Sequence, residues 1–248
     1  MSDYDGDVPH SSTSDSSLHV RATRHAALGD PSRLAIVDSL AISDRSPAEL
    51  GRSLQLPSNL LSHHLDVLER VGLVERTPSS GDRRRRYVRL LLQVPYLPDV
   101  VRTPARPALF VCTHNSARSQ LAAALWRSVT GEHALSAGTD PSDRVAPGAI
   151  RAARRAGLDL GDARPRPLHE VVDPPSLVVT VCDRAHEALG PVPSHLHWSV
   201  PDPVVANTPE TFDRVVVELR GRIERCFAPS AGGTAHRSPP PPEGRHDP

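Results

Sequence analysis

The chain has 248 residues, room for two modest domains, and is 38% hydrophobic but only 3% aromatic, so its cores should be thin and built mainly from Ala, Val and Leu. It has no apolar run long enough to span a bilayer and no secretory signal pattern at its start. Three cysteines in separate contexts do not make a secreted disulfide framework, and a soluble, cytoplasmic protein in a reducing compartment is expected. The formal net charge of zero is unevenly spread: residues 1–18 carry four Asp and no base, residues 19–92 twelve Arg against eight acids, and residues 93–248 seventeen of each. A basic segment beside a neutral one points to nucleic acid as a partner of the first half alone.

Residues 1–18 are rich in Ser, Asp and Gly and read as a disordered tail. Asp30-Pro31-Ser32 opens a first helix with Leu34, Ile36, Val37 and Leu40 as its apolar set. Ser46-Pro47-Ala48-Glu49 is a capping-box pattern with Pro at the first helical position, so a second helix starts there. A third, capped by Ser58, buries Leu61, Leu65 and Leu68 at i, i+4 and i+7 and leaves Asn59, Ser62 and His63 on other faces. Gly72 ends it. Two strands over 73–77 and 87–90 then flank a tip containing Arg83, Arg84, Arg85 and Arg86. Helix, helix, turn, helix and hairpin make residues 19–92 a winged helix-turn-helix. Arginines on a hairpin tip supply salt-sensitive affinity for double-stranded DNA, whereas Asn59, Ser62 and His63 can read base edges.

Prolines at 95, 98, 104 and 107 make residues 93–107 a semi-rigid linker. From 108 to 227 strands alternate with helices. Strands are expected at 108–112, 134–137, 177–182 and 196–200, and helices at about 118–130, 147–157 and 208–226. This is an α/β pattern, a doubly wound four-stranded parallel sheet. Residues 228–248 read as a disordered Pro-rich tail.

The strongest motif is Cys112-Thr113-His114-Asn115-Ser116-Ala117-Arg118-Ser119-Gln120, directly after the apolar strand. A thiol and a guanidinium are separated by five residues on a strand-loop-helix turn. Arg118 offers a planar fork for two oxyanion oxygens. The backbone N–H groups of Thr113, His114, Asn115, Ser116 and Ala117, with the helix N-terminus, can converge on the same tetrahedral anion. The same positive field falls on the Cys112 sulfur, the condition under which a thiol attacks as thiolate.

Leu28-Gly29-Asp30-Pro31-Ser32-Arg33-Leu34, Ser62-His63-His64-Leu65-Asp66-Val67-Leu68 and Gly72-Leu73-Val74 resemble the winged-helix repressors of the arsenical-resistance (ArsR) family. The resemblance implies that the helix from Ser58 enters the major groove. Many members sense metals through cysteines or a His/Asp set, but residues 19–92 contain no cysteine, and the adjacent His63 and His64 point in different directions. No metal site is expected there. Prolines occupy 95–107, where the family has a dimerising helix, so a homodimer stays open.

The Cys112 loop, Ser136-Ala137-Gly138-Thr139, Leu177-Val178-Val179-Thr180-Val181-Cys182-Asp183 and His197-Trp198-Ser199-Val200-Pro201-Asp202-Pro203 resemble the low-molecular-weight protein tyrosine phosphatase superfamily, and within it the thiol-dependent arsenate reductases. The resemblance makes Cys112 the nucleophile, Asp202 the general acid and Arg118 the anion clamp. It has Asn115 holding the loop and Ser119 hydrogen-bonding the thiolate. Arsenate is favoured over phosphotyrosine because Gln120 stands where the phosphatases have Pro, and Val204 and Val205 where they have tyrosines that flank the substrate ring. In the superfamily's strand order Cys182 lies beside Cys112. Neighbouring strands sit about 4.8 Å apart, within the roughly 4.4–6.8 Å Cα range of disulfides. Cys182 could then resolve a Cys112–arsenic adduct. The relay cysteine of thioredoxin-linked reductases is Leu189 here, so an external thiol reductant (thioredoxin, a glutaredoxin-like redoxin or a small thiol) is implied, with no bound cofactor. Cys226 reads as structural. A phosphatase, and a regulator whose second domain only senses an oxyanion such as phosphate, are the alternatives.

Overall fold

In the computed structural model, residues 12–91, 103–190, 192 and 195–228 are described. The first half opens with α1 (Ser12–Leu28), followed by α2 (Pro31–Ile42), α3 (Pro47–Leu54) and α4 (Ser58–Arg70). Local chemistry sets the starts of α2 and α3. The Asp30 carboxylate accepts from the Arg33 N–H at 3.0 Å, and Ser46 and Glu49 form the reciprocal capping box, each ahead of a Pro in the first turn. Ser58 is the first residue of α4, not its cap, and no side chain caps that helix. Gly72, at φ +68°, turns the chain into β1 (Val74–Pro78), which pairs antiparallel with β2 (Arg86–Leu90). Ile36, Val37, Leu40, Leu50, Leu61, Leu65, Leu68 and Val88 form the core of this winged helix.

The expected disordered tail over 1–18 needs correction from Ser12 onward, where α1 is already helical. Ala27 is buried against the core and Arg24 Nε donates to the Val71 carbonyl at 3.1 Å. Extending a helix backward from such an anchor costs little once its nucleus is paid for by packing. Residues 1–11 lie outside the described residues, as do 92–102 of the expected linker and 229–248 of the expected C-terminal tail. The linker also ends earlier than expected, because β3 (Thr103–Pro104) pairs in parallel with β8 (Phe227–Ala228) at the other end of the second domain.

Between those ends run β4 (Ala108–Cys112), α5 (Arg118–Thr130), β5 (Ala134–Gly138), α6 (Pro147–Arg155), β6 (Leu177–Thr180), α7 (Asp183–Leu189), β7 (Leu196–His197), α8 (Pro203–Ala206) and α9 (Pro209–Cys226). The sheet is four-stranded and parallel in the order β5-β4-β6-β7, as the alternating pattern predicts. All five residues of β4 are buried, which explains its continuous apolar run. Helix α5 packs on β4 and β5, α9 on α5 and α6, and α7 against β4 and β6.

Two strands are shorter than expected. β6 stops before Cys182, whose sulfur caps α7, and β7 ends at His197 because the next-but-one N–H, that of Ser199, donates to the Asp44 carboxylate of the other domain at 2.7 Å.

That last contact belongs to a polar junction between the halves. The Asp44 N–H donates to the His197 carbonyl at 2.7 Å, and Trp198 Nε1 donates to the Ile42 carbonyl at 3.0 Å. Arg222 of α9 gives two parallel N–H bonds, at 3.0 and 2.9 Å, to the buried Asp44 carboxylate. Burial works against the Arg222 cation, but Asp44 and Glu218 outweigh it and raise its pKa. Burial likewise opposes ionisation of Glu49 and Asp183. Hydrogen bonds from His186 and Ser46 to Glu49, and from His197 to Asp183, overcome it and hold both near 2. His197 is pushed below its ordinary 6.5 by burial.

The shifts of Glu49, Asp183 and His197 act in one direction. The unfolded chain takes up protons that the native junction refuses, so stability falls as pH drops below 6.5 and falls further from about 4.5 toward 2. Thermal unfolding followed from pH 8 to pH 4 should show a falling midpoint. A midpoint constant over that range would contradict the junction's role.

Candidate functional site

Cys112 is the last residue of β4 and Arg118 the first of α5, so the five residues between them form one tight loop at the carboxyl edge of the sheet. The carbonyls of Cys112, Thr113, His114 and Ser116 accept from the N–H groups of Thr139, Asp140, Ser142 and Ala146. Because a trans peptide points its N–H opposite to its C=O, those outward carbonyls turn the loop N–H groups toward the concave side. One of them, on Asn115 at φ +48°, donates to Cys112 Sγ at 3.1 Å. Gly138 supports this arrangement from below. A Cβ there would sit 2.7 Å from the Thr113 carbonyl oxygen and 3.1 Å from Asn115 Cβ.

Ser119 Oγ lies 3.0 Å from Cys112 Sγ and accepts from Asn115 Nδ2 at 2.7 Å, which leaves its own proton free to point at the sulfur. Asn115 Oδ1 in turn accepts from the Arg166 N–H at 2.9 Å and from Gln120 Nε2 at 3.2 Å, and Gln120 Nε2 also reaches the Arg164 carbonyl at 3.1 Å. The sequence motif marks Asn115 and Ser119. What it does not reveal is that Gln120 ties the loop to residues 164–166.

Arg118 is 5% exposed and its fork is engaged, with one nitrogen on the Val200 carbonyl at 3.1 Å and the other on Asp202 Oδ2 at 2.6 Å. Asp202 caps α8 through the Val204 N–H and remains partly open to solvent. Two residues 84 positions apart, read from separate motifs, are thus brought into contact. Val204 and Val205, which follow, are exposed at 40% and 86% and build no aromatic wall.

Cys182 is buried beside Cys112. β4 and β6 are hydrogen-bonded neighbours, the Val181 N–H donates to the Val111 carbonyl, and Thr113 Oγ1 lies 3.4 Å from Cys182 Sγ. Burial pushes the Cys182 thiol up, with Arg118 acting in the opposite direction. Cys226 stands apart: it is buried at the junction, donates to the Ala41 carbonyl at 3.2 Å, and burial raises it to about 11. Leu189 packs against the core at the end of α7.

On the other domain, Asn59, Ser62 and His63 share the exposed side of α4, while Leu61, His64, Leu65 and Leu68 face inward. Asp66 and Glu69 on the same helix are both paired with Arg76. Arg83, Arg84, Arg85 and Arg86 are all exposed. The opposite side of the same hairpin tip is not free. It rests on α7 through Ser79, Ser80 and Asp82, an attachment that no sequence motif announces.

Among the described residues no helix is long and apolar enough to cross a membrane, and no group of three or more His, Cys, Asp and Glu is placed to hold a metal ion.

These features agree with what the chain resembles. A helix-turn-helix domain family matches residues 28–77. An arsenate reductase of Brevibacillus brevis is 34% identical over 122 residues, 47% of this chain and 90% of that protein. One of Bacillus licheniformis is 32% identical over 131 residues, 47% of this chain and 91% of that protein. A solved arsenate reductase from Archaeoglobus fulgidus shares 33% identity over 46% of this chain and 94% of its own, with a TM-score of 0.42. The low molecular weight phosphotyrosine protein phosphatase family matches residues 108–231, half of the chain: the chain belongs to that family.

Proposed function

We propose that the chain is a DNA-binding transcriptional regulator whose second domain reduces arsenate, with Cys112 as nucleophile, Arg118 as oxyanion clamp, Asp202 as general acid and Cys182 as resolving thiol. The observation that carries this reading is a pair of buried thiols at the carboxyl ends of adjacent parallel strands: Cys112 closes β4, Cys182 lies two residues past the end of β6, and Thr113 Oγ1, on the residue after Cys112, is 3.4 Å from Cys182 Sγ. Relatives named arsenate reductases support the substrate. The exposed Val204 and Val205 support a bare oxyanion over an aromatic ester.

Arsenate entering the loop takes over hydrogen bonds from the inward N–H groups and from Arg118, releasing Asp202 from its ion pair at the mouth of the site. The Cys112 sulfur attacks arsenic, an oxygen leaves as water with a proton from Asp202, and an S–As bond forms. Ser119 and the Asn115 N–H hold the sulfur in line. Cys182 then attacks Cys112 Sγ. The S–S bond forms, the S–As bond breaks, and its electron pair stays on arsenic, which falls from As(V) to As(III). The Cys182 proton passes to an arsenite oxygen. The protein is left with a Cys112–Cys182 disulfide, which two electrons from an external thiol or redoxin restore.

Arsenate-dependent thiol consumption, run beside aryl-phosphate hydrolysis, tests this sequence. Cys182→Ser should lose arsenate turnover about 100-fold or more while hydrolysis changes little, because only the redox route needs a second thiol. Equal retention of both activities would show that Cys182 is not the resolving thiol. Hydrolysis without any arsenate turnover in the wild type would make the second domain a phosphatase.

For the DNA-binding half, neutral replacements at Arg83, Arg84, Arg85 and Arg86 should weaken binding to specific and random duplexes alike. The salt slope should fall by about 0.9 for each DNA phosphate that the arginines no longer neutralise. Changes at Ser62 or His63 should instead shift preference between sequences by about 1–3 kcal/mol per affected base pair. An unchanged salt slope in the arginine variant would remove the hairpin from the DNA interface.

A further inference from the structure

Helix α7 is short and begins at Cys182, so the sulfur proposed to resolve the arsenic adduct is also the helix cap: Cys182 Sγ accepts from the Ala185 N–H at 3.4 Å. Its next residues face the DNA-binding domain. Asp183 accepts from the Ser80 N–H at 2.7 Å. Glu187 accepts from Ser79 Oγ at 2.6 Å, from the Asp82 N–H at 2.8 Å and from the Tyr87 hydroxyl at 3.4 Å. The hairpin tip lies flush on the helix, since a Cβ on Gly81 would come within 3.2 Å of Arg184 Cα and would overlap the Glu187 carboxylate. His186, between those two acids, reaches Glu49 of α3 at 3.0 Å. One short helix thus holds both the hairpin and the helix-turn-helix, and its first anchor is a catalytic thiol.

The hairpin is bound to α7 through residues 79–82 and Tyr87, whereas Arg83, Arg84, Arg85 and Arg86 remain exposed. Docking therefore leaves the phosphate-binding side of the hairpin available and fixes its position. A fixed basic hairpin binds DNA better than a loose one, because less freedom is lost on association.

We propose that the Cys112–Cys182 pair is also the sensor of the DNA-binding half: forming the disulfide draws the Cys182 sulfur off the α7 cap, loosens the hairpin's seat on Asp183 and Glu187, and lowers affinity for DNA. The proposal rests on the reading of Cys182 as resolving thiol. Each arsenate reduced removes two electrons from the two thiols and leaves the low-affinity state, and the external thiol that completes the cycle restores the high-affinity state. Arsenate is then sensed by its own turnover, with no ligand site in residues 19–92.

The test uses the full chain and a short random-sequence duplex at low salt, since the hairpin's contribution is independent of sequence. Binding is measured on reduced protein, on protein oxidised with diamide and on oxidised protein re-reduced with dithiothreitol, and the disulfide is identified by peptide mass spectrometry. Oxidation should weaken binding about fivefold or more, in the usual range of coupling between sites, and re-reduction should restore it. Oxidised Cys182→Ser should bind like the reduced protein. Glu187→Ala and, independently, the milder Ser79→Ala should bind DNA more weakly when reduced, should respond less to oxidation, and should keep arsenate turnover. A Cys112–Cys182 disulfide with unchanged DNA affinity overturns the coupling and leaves the reductase reading standing. Failure of that disulfide to form, under diamide or after arsenate turnover, overturns both.

Discussion

Cys112→Ser is expected to abolish arsenate reduction and aryl-phosphate hydrolysis together, by on the order of 10⁴-fold or more, while the protein keeps its fold. In the proposed mechanism both reactions begin with the same sulfur. A serine hydroxyl fits the same place, with the Asn115 N–H and Ser119 Oγ as ready partners 3.1 and 3.0 Å from the present sulfur, but is a far poorer nucleophile at neutral pH. Arg118→Lys is expected to lose about 10²–10³-fold, since a point charge cannot reproduce the fork that spans Val200 and Asp202. Steady-state rates on both substrates, with circular dichroism as the fold control, decide the matter. Near wild-type rates in Cys112→Ser would end the covalent mechanism.

Asp44→Ala should be among the most damaging substitutions far from the chemistry, at about 3 kcal/mol of unfolding free energy. It strips the Arg222 guanidinium, 6% exposed, of two hydrogen bonds and of its principal counter-charge. Glu218 still reaches Arg222 at 3.1 Å, which places the expected cost at the lower end of the range for breaking a buried pair. The Asp44 carboxylate also receives the Ser199 N–H, so the variant leaves that donor unpaired as well. Denaturant unfolding would show the midpoint fall. Separation of one transition into two would show that the halves then unfold independently. Asp44→Asn, which keeps an acceptor but loses the charge, should lie between. A loss below about 1 kcal/mol in Asp44→Ala would mean that the junction contributes little to stability.

The proposed redox chemistry and the junction meet at α7. Its cap is Cys182, its first residue Asp183 serves both the hairpin and His197, and His197 pairs its backbone with Asp44. Cys182, proposed as the resolving thiol, is therefore joined to the DNA-binding half through its chain neighbour Asp183 and that residue's hydrogen bonds.

Local features of the sequence were sufficient for the helix-turn-helix, the strands of the main sheet and the Cys112–Gln120 motif, whereas α7, whose cap is a thiol, was not among the expected helices. The capping box at Ser46 and Glu49 and the Leu61, Leu65, Leu68 stripe are short-range signals that act within one or two helical turns. The same holds for Cys112 through Gln120, where strand end, loop and helix start are contiguous and the chemistry is visible as a motif. Helix α1 starts within a run of Ser, Thr and Asp whose composition reads as a tail, and it is helical over Ser12 to Leu18 as an extension of a far end that is packed. Gln120 can be seen as a departure from the family's proline, but its bonds to Asn115 and Arg164 depend on a loop more than forty residues away. The junction is the extreme case. Asp44 and Arg222 are separated by 178 positions, and Ser79 and Glu187 by 108, with no periodicity or spacing relating either pair. Charged residues in such places look like solvated surface until the tertiary fold removes their water. Only then does each need its partner, because a buried charge is tolerated when paired and costly when alone.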